Sequence, residues 1–202
     1  MYNLKDNSIA KIVGHVKIID PDTGEEILNK RNAINYENMS ISLAYLLGGL
    51  QTGLGQSYGI SKMAFGNSGV VVDSTGTITY RPPNTGTTSG TLYNQTYSKL
   101  VSNLSSVDPE NCITVSHTAG TSYSDIIVTC TLGYSEPADQ DTDDLSTTFN
   151  GNYIFNEIGL LESNIDLQTQ GATLTHIVFH PVQKSANRRI QVIYTIRISV
   201  GS

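Results

Sequence analysis

The strongest constraint on this chain lies near its end, where residues 190–200 alternate. Ile190, Val192, Tyr194, Ile196, Ile198 and Val200 fall on one side, while Gln191, Thr195, Arg197 and Ser199 fall mostly on the other. A period of two marks a strand with one buried face, because successive side chains leave opposite sides of the pleat. The preceding LTHIVFH is a second β-rich run, and the polar HPVQKSANRR between the two predicts a loop joining antiparallel neighbours. Together they predict a hairpin closing a β-rich domain.

Earlier segments follow the same logic. AKIVGHVKIID reads as a strand with Ile12, Val16 and Ile18 on one face and Val13, His15, Lys17 and Ile19 on the other. In DPDTGE, Pro21 presets a turn dihedral and Gly24 supplies a positive one, so EILNKRNAI is expected to return as the second strand of a hairpin. One helix is expected, at about 36–48. Met39, Leu43, Leu46, Leu47 and Leu50 form an apolar stripe, Asn35 or Asn38 caps its start, and Gly48 and Gly49 end it. The stripe is expected to pack on the protein's own sheet, with docking of a partner chain as the alternative. A short strand from Ile60 to Phe65 follows, and NCITVSH and SDIIVTCTLGY make two more about a turn near Gly120. Between them residues 66–92, rich in Gly, Thr, Ser and Pro, predict a long extended loop or arm ordered by neighbouring subunits. With 202 residues the chain can bury a core unaided, so a single domain, 1–202, is expected.

The net charge of −6 argues against nucleic acid, which needs clustered cations, and the pairs Lys30-Arg31 and Arg188-Arg189 are short. No apolar run approaches the roughly 20 residues of a membrane helix, and MYNLKDNS lacks a signal-peptide core. Charged residues make up only 15%, against about 25% in ordinary soluble domains, a composition suited to a surface buried in an assembly. Cys112 and Cys130 flank the Gly120 turn, so a cross-strand disulfide is one reading. Two buried free thiols, expected of a chain without export, is the other.

Motifs for chemistry are sparse. His15, His117, His176 and His180 are scattered, outside any HExxH or GxSxG setting, although His176 and His180 are spaced to share a strand face. Asp139, Asp141, Asp143 and Asp144 crowd one loop, where solvation is the simpler reading than a cation site. The Asp20 to Gly24 turn lacks the remaining ligands of a calcium loop, and GNSG lacks the lysine of a phosphate loop. Glu157, an acid inside the apolar FNEIGLL, has no second carboxylate at a definable spacing for acid–base work. It reads instead as an acceptor of backbone or arginine hydrogen bonds. No enzyme activity, metal or cofactor is expected.

The segment FNEIGLLES resembles the EIGL segment of tail-fibre, collar and baseplate-associated structural proteins of tailed bacteriophages. NKRNAINYENMSISLAYLL, ISKMAFGNSG, LYNQTYSKLV and FHPVQKSANRRIQVIYTIRI resemble further segments of such proteins in the same order. The resemblance implies an antiparallel β-sandwich with a jelly-roll-like core and one packed helix. It implies a virion protein, present in the host cytoplasm before assembly, that forms a homo-oligomer with other virion proteins as partners. Leu43, Leu46, Leu47, Tyr80, Arg81, Glu157, Arg188 and Arg189 are the expected assembly contacts. The alternative function is a module binding a cell-surface glycan or host receptor, with Tyr80, Tyr93, Tyr97 and Tyr123 stacking on sugars.

Overall fold

A computed structural model describes residues 9–50, 58–86, 90–137, 152–162 and 172–201. The chain is mainly β. Its strands are β1 (Ile9–Ile19), β2 (Glu26–Ile34), β3 (Ile60–Gly66), β4 (Val70–Val72), β5 (Ile78–Tyr80), β6 (Gln95–Leu100), β7 (Asn111–His117), β8 (Tyr123–Leu132), β9 (Asn152–Glu162), β10 (Thr173–Ser185) and β11 (Ile190–Gly201), with one helix, α1 (Tyr36–Leu47). Nine strands form an antiparallel sheet in the order β6-β3-β9-β10-β2-β1-β11-β8-β7, and β4 and β5 pair separately. The two edges meet where Ser102, just past β6, makes a parallel bridge to Cys112 of β7. The sheet is therefore a sandwich-like, nearly closed barrel, an arrangement that leaves little edge unpaired.

Local chemistry explains the turns. Between β1 and β2, Asp20 Oδ1 accepts the amides of Asp22 and Thr23, and Gly24 takes φ +76°. Gly120 takes φ +84° between β7 and β8. In β11 the expected alternation is realised: Ile190, Val192, Tyr194 and Ile196 are buried. They meet Val16, Ile18, Val128 and Cys130 from their own half of the sheet, and Phe65, Tyr153, Phe155 and Phe179 from the other, in one core cluster. Phe65 and Phe179 each meet Phe155 edge-on, with centroids 5.4 and 5.8 Å apart, the favoured arrangement of aromatic quadrupoles.

Three expectations are corrected. β10 and β11 do not form a hairpin: β10 pairs with β9 and β2, β11 pairs with β1 and β8, and the β1–β2 hairpin lies between them. HPVQKS continues β10 rather than forming a loop. The disulfide is also excluded. Cys112 lies opposite Thr129 and Cys130 opposite Asn111, so the two sulfurs leave opposite faces of the ladder, and both remain buried free thiols. Finally, the loop 66–92 is held by its own chain where it is described. It carries the β4–β5 hairpin, Arg81 N donates to Gly69 O, Tyr36 N donates to Thr85 O, and Leu92 is buried against Ala64 and Leu161.

Candidate functional site

Two places gather the residues singled out in the sequence. The first is a buried polar knot on β9 and β10. Glu157 and His176 are both fully buried, with His176 Nε2 3.0 Å from Glu157 Oε2. Glu157 Oε2 also accepts the amide of Tyr93 at 2.9 Å, and Oε1 accepts those of Asn94 at 2.9 Å and Ser68 at 3.2 Å. On the far side of the ring, Asn84 N donates to His176 Nδ1 at 2.9 Å. That donor requires a lone pair on Nδ1, so Nε2 carries the proton and the ring is the neutral tautomer donating to the carboxylate. Burial pushes the Glu157 carboxyl upward, but hydrogen bonds from His176, Asn94 and Tyr93 outweigh it and hold the group below its ordinary value.

This knot ties the loop to the sheet. Both ring nitrogens of His176 are engaged, so it has no lone pair for a metal, and the β10 ladder is irregular between Val178 and Val182, which breaks its simple spacing to His180. Among the described residues no group of three or more His, Cys, Asp or Glu is arranged to hold a metal ion. Asp139, Asp141, Asp143 and Asp144 lie outside the described residues. The expectation that Glu157 makes a subunit contact is corrected: it is interior, and it accepts backbone hydrogen bonds from its own chain.

The second place is the surface around α1. Asn35 caps the helix by accepting from Asn38 N. Asn38 Nδ2 donates to Thr173 O at 2.9 Å, and Ser42 Oγ donates to Tyr58 O. The buried helix residues are Asn38, Met39 and Ser42. The expected leucine stripe is therefore corrected. Leu43 is half-buried and packs on the core, but Leu46 is 42%, Leu47 88% and Leu50 53% exposed. Helical spacing shows that these residues share a side; the polar anchors, which the stripe does not register, decide how far that side turns outward.

Leu46 stands at a cavity of about 440 Å³ between α1 and the sheet, lined by Met39, Leu43, Ile113, Val115, Ile126 and Ile198 among others. Contiguous exposed apolar surface of this kind marks an interaction site in soluble proteins. Its chemistry is non-directional burial of aliphatic groups.

The remaining candidates lie elsewhere. Arg188 binds Asp20 and Glu25, and Arg189 binds Asp22 and Glu110, so the paired arginines tie the β10–β11 connection to the β1–β2 turn and to the start of β7. Tyr80 and Arg81 are exposed, and the Arg81 guanidinium lies 5.0 Å from the Tyr93 ring centroid. The four tyrosines do not form one platform. Tyr97 donates to Glu136, and Tyr123 lies under Arg197. No helix among the described residues is long and apolar enough to cross a membrane. No family model, curated protein or solved structure matches this chain.

Proposed function

We propose that the protein is a structural component of a bacteriophage virion, a collar, neck, tail or baseplate-associated protein or a fibre-attachment module, and that it acts by oligomeric assembly. The observation that carries this reading is the outward leucine face of α1 running into the apolar cavity beside it. Leaving Leu47 88% exposed is unfavourable in an isolated subunit, and burying one leucine side chain is worth about 1.5–3 kcal/mol. A neighbouring subunit that covers Leu46, Leu47 and Leu50 and inserts an aliphatic side chain into the cavity recovers that energy. The low share of charge and the ordered run of phage-like segments point the same way. In this reading the protein performs no catalytic step, resides in the virion, and waits in the host cytoplasm until assembly.

Sedimentation of the purified chain at up to about 100 μM, where even contacts of micromolar strength register, is the direct test. The parent is expected to self-associate. The double variant Leu46→Asp, Leu47→Asp is expected to stay monomeric while keeping the unfolding midpoint that the parent shows when diluted to the monomer. A monomeric parent at that concentration, with no labelling of phage particles by antibody to the protein, refutes the proposal.

A further inference from the structure

Although the chain carries a net charge of −6, one cleft brings together three cations that face no carboxylate. The cleft, about 520 Å³, runs between β2 and the segment following β5. Lys30 and Arg31 stand on one wall, Tyr80, Arg81 and the rigid pair Pro82 and Pro83 on the other, with Ile177 and Val178 as its floor. Elsewhere, Lys17, Lys99, Arg188, Arg189 and Arg197 each face a carboxylate. Among the described residues Lys11, Lys30, Arg31, Lys62, Arg81 and Lys184 have no such partner, and three of them, Lys30, Arg31 and Arg81, line this one cleft. Lys30 Nζ instead donates to Val178 O at 2.9 Å and lies 5.6 Å from the centroid of the Tyr80 ring. Three cations with no acid to neutralise them produce a positive potential that is focused by the walls of the cleft.

We infer that this cleft binds an acidic sugar, a pyranose ring bearing a carboxylate or phosphate, as one unit of an anionic oligosaccharide. The guanidinium of Arg31 offers a planar fork of donors for either anion. Tyr80, 49% exposed, presents a ring face on which the apolar face of a pyranose can stack. The aliphatic floor and the volume match a small-ligand site in which a few polar groups fix orientation. Three cations in a short cleft do not make the extended track that a nucleic acid backbone requires. The inference stands apart from the assembly role, because the cleft shares no lining residue with the cavity beside α1.

Titration calorimetry tests it with the full chain and three probes: a uronic-acid oligosaccharide, a sialylated one and a phosphorylated one. The controls are the methyl-esterified uronate, inorganic phosphate and a short DNA duplex. At least one acidic saccharide is expected to bind, to weaken with added salt, and to lose about tenfold or more in affinity both on esterification and in Arg31→Gln. Tyr80→Ala is expected to lose a similar factor for the saccharide while leaving any weak phosphate binding unchanged, which separates the ring contact from the charge contact. Both side chains are exposed, so unfolding midpoints equal to the parent's will show that the fold is intact. Failure of all three saccharides, equal binding of the neutral ester, or equal or tighter binding of phosphate or DNA overturns the assignment. Retained self-association alongside any of these results leaves the assembly role standing.

Discussion

Replacing Glu157 by Gln keeps the shape of the side chain and removes one acceptor, which makes the knot beneath the loop measurable. The carboxylate receives four donors in two pairs: Ser68 N and Asn94 N at Oε1, Tyr93 N and His176 Nε2 at Oε2. A glutamine has one acceptor oxygen and one NH2, so either orientation sets a donor against two donors. The imidazole cannot adapt by moving its proton to Nδ1, because Asn84 N already donates there. Two charge-assisted bonds are lost and buried donors are left unsatisfied, at about 1–3 kcal/mol per orphaned group, so a loss of about 3 kcal/mol is expected. For a chain of this length that corresponds to a fall of about 6–12 °C in Tm. The pH dependence carries an independent sign. A carboxyl whose folded pKa lies below its ordinary value contributes stability that is present above the unfolded value, 4.5, and is lost as pH falls through the folded one. Urea titrations of parent and variant should draw together as pH falls below 4.5, with hydrogen exchange showing deprotection in the variant either at Tyr93 or at Ser68 and Asn94, according to which pair the new NH2 faces. A variant within about 0.5 kcal/mol of the parent at pH 7, the ordinary range of surface substitutions, would refute the anchoring role.

Gly159→Ala tests the other half of the same motif. An added Cβ meets Leu92 Cδ1 at 2.7 Å and the carbonyl oxygen of Thr175 at 2.8 Å, so a loss of about 2 kcal/mol or more is expected in urea unfolding; an unchanged midpoint counts against it. Burial pushes the Cys130 thiol up to about 12, so Cys130 should not react with a thiol reagent at pH 8 in the native state. Both cysteines should react in denaturant without reductant, and rapid native labelling of Cys130 would contradict its placement.

What the sequence made legible is what local chemistry determines. The alternation of residues 190–200, the Asp20 to Gly24 turn, the Gly120 turn and a helix that starts at Tyr36 are all written within a few neighbouring residues. Strand order is not. The β1–β2 hairpin enters between β10 and β11 through pairings of residues far apart in the chain, and periodicity in β10 or β11 carries no trace of that partner. The loop shows the same limit. Glu157 reaches donors 63 to 89 residues away, so the sequence showed an acid awaiting partners without showing which. The role of His176 and the convergence of Lys30, Arg31 and Arg81 left no linear signal at all.

The EIGL segment now has a physical account residue by residue. Ile158 and Leu160 enter the core, Glu157 points the other way to gather the loop amides, and Gly159 leaves room for the Thr175 carbonyl and Leu92. The side chains that looked most like chemistry are thereby spent on folding a long loop over β9 and β10. That loop is what holds Tyr80 and Arg81 opposite Lys30 and Arg31. The knot and the cleft are therefore coupled. Loss of the Glu157 anchor should weaken any ligand in the cleft without altering self-association through the leucine face of α1, whose polar anchors lie at Thr173 and Tyr58. Measuring both in Glu157→Gln separates the two surfaces: if association falls together with ligand affinity, they are not independent.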